Sequence, residues 1–169
     1  MRRIVLPIVV LLLFVSESIF VDISPVGHLN TDYVFVPRFL MIIFVFIAVY
    51  TDRYQGMLYG FIYGLLFDIV YTGIIGVYMF GMSFIAYLMA KASKALLSNI
   101  FVTSLLGVVA VVILEFYVYI INFLIGYTDM QFMMFLQNRL LPTVILNSIF
   151  VLLIAFPIKK LITWLSVVE

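Results

Sequence analysis

The chain has 169 residues, 67% of them hydrophobic and 10% charged, with a formal net charge of +1. A soluble domain carries about 25% charged residues, so there is too little polar surface here to coat a globule, and lipid is the solvent for most of the chain. No basic run points to nucleic acid, and the absence of cysteine excludes disulfides, thiolate metal sites and cysteine nucleophiles.

A membrane span needs about 20 mainly apolar residues. The first predicted span covers 4–22, with Pro7 in its first turn, where a missing N–H is harmless. Met1-Arg2-Arg3 ahead of an apolar run has the look of a secretory signal. The run is long enough to span, however, and no small-x-small cleavage site follows, so it is read as a retained helix. Residues 23–32 form a turn cluster that holds His28. The second span is 33–50, with Pro37 and Arg38 near its start, and the polar turn Thr51-Asp52-Arg53 leads into a third span at 54–71. The fourth is 74–90, followed by a polar loop at 91–99, and the fifth is 100–127. Residues 128–137 read as a loop or a short interfacial helix. The sixth span is 138–156, which Pro157 ends or kinks, leaving 158–169 as an amphipathic tail in the interface. The expectation is an all-α membrane protein of six transmembrane helices, forming one polytopic domain over residues 1–169.

Orientation follows from the lysines and arginines in the loops. With the N-terminus inside, the cytoplasmic stretches carry Arg2, Arg3, Arg53, Lys91, Lys94, Lys159 and Lys160, and the outer side carries only Arg38 and Arg139. Both termini are therefore expected in the cytoplasm. Tyr33, Tyr50, Tyr54, Tyr71, Tyr127 and Trp164 fall near predicted helix ends, where interfacial aromatics belong.

Within the third span Gly56, Gly60 and Gly64 recur every four residues, and the next step of the same spacing is Asp68. Such a row forms one helix face that lets another backbone approach closely. It is read as an internal packing seam that places Asp68, with homodimerisation through it as an alternative. A charge within a bilayer needs a partner or water. Glu17, Arg38, Asp68 and Arg139 share roughly one depth in the outer half, which predicts a polar network with Asp68 paired to Arg38 or Arg139. Glu115 lies near the middle of the fifth span, with no positive residue at its predicted depth. Asn147 or a tyrosine hydroxyl is its expected partner, with Asn122 on the same face. Pro142 is expected to kink the sixth helix and to free a carbonyl near Asn138. No Gly-x-Ser-x-Gly, His-Glu-x-x-His or phosphate-cradling loop occurs, so no enzyme, metal or cofactor role is expected.

The ridge Gly56-x3-Gly60-x3-Gly64-x3-Asp68, followed by Gly73 and Gly76, and the element Arg139-x2-Pro142-x4-Asn147 resemble the MreD family of rod shape-determining proteins. The resemblance covers nearly the whole chain. It implies a multi-pass scaffold of the bacterial plasma membrane that works in the elongation complex. There it would hold the membrane helix of MreC, which acts on the peptidoglycan synthase pair, and indirectly serve the MreB filament. It also implies a fold similar to the substrate-binding subunits of energy-coupling-factor transporters. That similarity supplies the main alternative, a vitamin-capturing subunit, whose Ala-x-x-x-Ala contact motif is missing because 4–22 contains no alanine. A proton-coupled carrier built around Glu115 is a third reading, but it lacks a second acid and paired broken helices.

Overall fold

The computed structural model describes residues 2–23, 33–97 and 99–166. All regular structure among them is helical. Residues 24–32 of the predicted first loop, His28 included, lie outside the described residues.

Helix α1 spans Arg2–Ile23 and continues through Pro7. It packs at the periphery: Val10 and Glu17 turn inward, while Ile4, Ile8, Leu11, Leu12, Val15 and Ile19 point outward. Helix α2, Phe39–Tyr50, is the axis of the molecule. Every residue from Leu40 to Ala48 is buried, as expected for a helix that is apolar all round.

The predicted start of this helix at Tyr33 is wrong by six residues, because 33–38 are not helical. Pro37 biases the residue before it away from helical geometry, and the chain enters α2 through a non-helical segment, 33–38. Non-helical backbone at membrane depth is tolerated only where protein groups satisfy it. Here they do. Val34 N–H donates to the Asn138 carbonyl at 2.7 Å, and Val36 N–H to Thr143 Oγ1 at 3.2 Å. Arg38 N–H donates to Asn147 Oδ1 at 2.8 Å, and Asn147 Nδ2 returns a bond to the Val36 carbonyl at 2.9 Å. Pro37 has no N–H to satisfy.

Helix α3, Arg53–Phe67, is N-capped by Asp52 and passes into a π-helical turn at Asp68–Thr72 that ends on Gly73, in the left-handed region at φ 67°. Helix α4, Val77–Ala95, returns against α3. It takes in Lys91 and Lys94, which the sequence predicts in a loop at 91–99. Helix α5, Ile100–Leu124, is N-capped by Asn99. A short turn, Phe132–Met134, and a π-helical stretch, Phe135–Leu140, lead without a break into α6, Leu141–Ser166.

Pro157 does not end α6. The helix runs through it, and Ile158 and Ile162 are buried in the core, so this segment is packed rather than lying as a separate tail. Its helical backbone lets the i, i+4 pair Ile158 and Ile162 extend the inward stripe already begun by Val151 and Ala155.

Among the described residues two helical stretches, Ile100–Leu124 and Phe132–Leu165, are long and apolar enough to cross a bilayer. The surface fits lipid rather than water. Large apolar side chains such as Phe84, Phe101, Leu105, Leu152, Leu153 and Phe156 point outward, while Glu17, Arg38, Asp68, Glu115 and Asn147 are buried. Soluble monomers rarely expose apolar patches of such extent.

Candidate functional site

The glycine row explains how α3 and α4 meet. A β-carbon at Gly60 would stand 2.9 Å from Ser83 N, and one at Gly64 would stand 2.6 Å from the Tyr78 carbonyl oxygen. Both neighbours are α4 backbone. A β-carbon at Gly56 would stand 2.7 Å from Ala48 Cα of α2. The row is therefore filled from within the chain, by α4 and α2. At its end, the Asp68 carboxylate accepts from Gly76 N–H at 2.8 Å, Tyr78 N–H at 2.9 Å and Met79 N–H at 3.1 Å. These are the opening amides of α4, which have no partner inside their own helix, and a carboxylate there also meets the positive end of the helix dipole.

Asp68 is thus not paired with an arginine, contrary to the expected network. Both arginines instead meet Glu115. Arg38 Nε lies 2.6 Å from Glu115 Oε1, and Arg139 Nε lies 2.9 Å from Glu115 Oε2. Glu115 is fully buried, Arg38 is 2% exposed and Arg139 is 29% exposed. The expectation that no positive residue lies level with Glu115 therefore fails. Residues 33–38 are not helical, so Arg38 does not sit one turn into a helix. Helical structure before α6 begins at Phe132 rather than at Asn138, so Arg139 lies about two turns inside it.

Arg38 is held on further sides. Its Nη2 donates to Tyr78 Oη at 2.8 Å, and its Cζ lies 4.8 Å from the Tyr78 ring centroid and 5.6 Å from that of Phe67. Tyr78 therefore joins the two constructions: its amide is bound by Asp68 and its hydroxyl by Arg38.

Asn147 is not the partner of Glu115. Its side chain accepts from Arg38 N–H and donates to the carbonyls of Val36 and, at 2.8 Å, Thr143. The carbonyl of Asn138, four residues before Pro142, accepts from Val34 N–H. Proline at 142 cannot donate to it, so the second segment occupies the position its amide leaves vacant. Glu17 makes no ion pair among the described residues. Its Oε1 accepts from Leu40 N–H at 2.7 Å, serving the opening turn of α2. Asn122 lines a separate small cavity of 120 Å³ beside Tyr71 and Tyr127.

Between α1, the non-helical segment 33–38 and the end of α3 lies a partly open cavity of 320 Å³, with Glu17, Arg38, Tyr71, Thr72, Tyr78 and Arg139 on its wall. Among the described residues no three His, Asp or Glu side chains gather as a metal site would require. Both oxygens of Glu115 are engaged by guanidinium groups, an arrangement that locks segments together.

Sequence reasoning missed the part played by Tyr78 and the close approach at Gly81, where a β-carbon would lie 2.7 Å from Tyr117 Cε1. The lone Gly81 within an apolar helix was the available signal for the second.

Residues 2–165 match the family described as rod shape-determining protein MreD. The chain is 42% identical over 159 residues to the rod shape-determining protein MreD of Bacillus subtilis (strain 168), covering 94% of this chain and 92% of that one. No solved structure matches the chain. The expected likeness to transporter capture subunits, and the vitamin-transport alternative resting on it, find no support in these matches. A whole-length family match and this identity agree with the glycine–aspartate ridge and the Arg139–Pro142–Asn147 element: the chain belongs to the MreD family of rod shape-determining proteins.

Proposed function

We propose that this protein is a non-enzymatic, multi-pass scaffold of the bacterial plasma membrane that holds the transmembrane helix of MreC. Through that helix it positions the peptidoglycan synthase of the elongation complex and, indirectly, serves the MreB filament. The observation that carries this reading is the match to a rod shape-determining family over residues 2–165. The site geometry supports it. The buried ionic and polar groups tie α1, the non-helical segment, α3, α4, α5 and α6 to one another, as a rigid template for a partner requires.

In this reading the six long helices all span, including α2, whose 12 residues are supplemented by the non-helical segment before it. Arg53, Lys91, Lys94, Lys159 and Lys160 gather at the end of the bundle where α2 ends and α3 begins, and the positive-inside bias puts that end, with both termini, in the cytoplasm.

The glycine face is occupied by α2 and α4, so neither a partner helix nor a second copy uses it. The partner helix instead docks on an exposed aromatic face. The groove between Leu58 and Phe61 of α3 and Phe80 and Phe84 of α4, with Ser83 at its floor, has the small-residue base that membrane helices pack against.

Co-purification from detergent extracts tests the scaffold. MreC should be recovered with the wild-type chain, and Phe80→Ala/Phe84→Ala should lower its recovery, while a change on the α6 surface such as Leu153→Ala leaves it intact. Recovery of a transporter coupling subunit with ATPases in place of MreC would contradict the reading. So would normal rod shape on depletion in a rod-forming host.

A further inference from the structure

Helix α6 carries a row at four-residue spacing whose character changes along its length. Leu152 and Phe156 point outward, Lys160 is exposed one turn further on, and Trp164, half-exposed, follows after another turn. Residues four apart form a shallow ridge on a helix surface. Twelve residues of rise make the row about 18 Å long, close to one leaflet of a hydrocarbon core about 30 Å thick. Its polar end lies beside the end of α2, because the neighbouring Lys159 reaches Tyr50, the last residue of that helix.

Lys159 is half-buried, with its Nζ 5.3 Å from the Tyr50 ring centroid. A cation held over an aromatic face loses freedom but keeps its charge. No carboxylate answers either lysine among the described residues. Helix α6 has no acidic residue from Leu141 to Ser166, and both ion pairs are made by Glu115 with arginines. The acid of the α2–α3 turn, Asp52, accepts from Tyr54 N–H at 3.0 Å and caps α3. Two ammonium groups thus stand together at one end of an apolar row with no anion from the chain.

We infer that this row is a seat for an anionic phospholipid, with the phosphate on Lys160 and Lys159, the headgroup beside Trp164 and an acyl chain along Phe156 and Leu152. Charge selects the class. A phosphatidylglycerol head is net negative, whereas choline and ethanolamine heads are neutral and bring an ammonium of their own toward the two lysines. The order of the row selects a lipid over an acidic protein segment, since cation and indole lie at headgroup level with exposed apolar side chains beneath them. The seat rests on the reading of α6 as a membrane span. It needs no partner helix, whose groove lies between α3 and α4.

Native mass spectrometry of the purified full chain, at an ionic strength of about 0.15 M, tests this by titration with phosphatidylglycerol and phosphatidylcholine of matched acyl chains, with glycerophosphoglycerol and with a hexaglutamate peptide. Phosphatidylglycerol should bind about tenfold more tightly than phosphatidylcholine, each cation near the headgroup contributing about fivefold at most. Lys159→Gln/Lys160→Gln should bring the two lipids within about twofold of each other. Lys91→Gln/Lys94→Gln removes the same charge from α4, which α5 separates from α6, and should leave the preference in place. Phe156→Ala should weaken both lipids and leave their ratio unchanged. Equal binding of the two lipids, or a preference retained in the α6 lysine variant, would overturn the inference. So would a preference lost equally in the α4 variant, which would show a diffuse effect of net charge. Glycerophosphoglycerol or hexaglutamate binding as tightly as the anionic lipid would overturn it too, by assigning the lysines to a soluble anion or an acidic protein segment.

Discussion

In the α3–α4 hairpin the buried carboxylate of Asp68 meets amides 8 to 11 residues away, whereas Glu115 meets guanidinium groups 77 and 24 residues away and Asn147 reaches back 109 residues to Arg38. The first construction is local. It serves a helix end with one acid and needs no counter-ion. The second is long-range and ionic, and it fastens three segments that share no sequence neighbourhood. The local device builds one hairpin, and the long-range one closes the bundle around α2. Tyr78 belongs to both, so a disturbance at one site should reach the other.

The long-range construction should be the more fragile. Removing the charge with Glu115→Gln leaves two guanidiniums, one of them fully enclosed, without their anion. The expected loss is about 3–5 kcal/mol, read as a large drop in thermal stability in detergent; a change of less than about 1 kcal/mol would mean that the pairing is not ionic. Asp68→Ala removes three charge-assisted bonds to the start of α4 and should cost about 2–3 kcal/mol. Hydrogen exchange at Gly76, Tyr78 and Met79 should rise first, and loss of protection in α6 instead would contradict the local assignment.

These two constructions also mark what the sequence carried. The glycine spacing predicted a close approach and put Asp68 at the end of the row, because helical periodicity is a local property of the chain. That three amides of the next helix would take up the acid, rather than Arg38 or Arg139, depended on a π-helical turn and on Gly76 at φ 115°, which no spacing signals. The Glu115 pairing was not legible because it depends on 33–38 being non-helical, for which Pro37 was the available signal. The freed carbonyl near Asn138 followed from Pro142 alone, whereas its acceptance of Val34 N–H did not.

Smaller effects refine the contrast. Gly60→Ala forces a β-carbon against α4 backbone, which cannot swing aside as a side chain can, and should cost about 1–2 kcal/mol. Thermal melting of this variant should show that loss, while Gly73→Ser, in open space but at positive φ, should cost less than about 1 kcal/mol and only through backbone strain. Among the ionic groups Arg139→Ala should be the mildest change, about 1 kcal/mol by the same melting assay, because this arginine is partly exposed and Arg38 stays on Glu115.

The most direct test is a pair of double-mutant cycles on the full chain, Arg38→Gln with Glu115→Gln and Arg38→Gln with Asp68→Asn, each read by thermal or denaturant unfolding. Arg38 and Glu115 should couple by more than about 2 kcal/mol, while Arg38 and Asp68, which share Tyr78 but make no bond to each other, should couple by less than about 1 kcal/mol. Strong coupling to Asp68 together with none to Glu115 would restore the arginine–aspartate network and contradict the account.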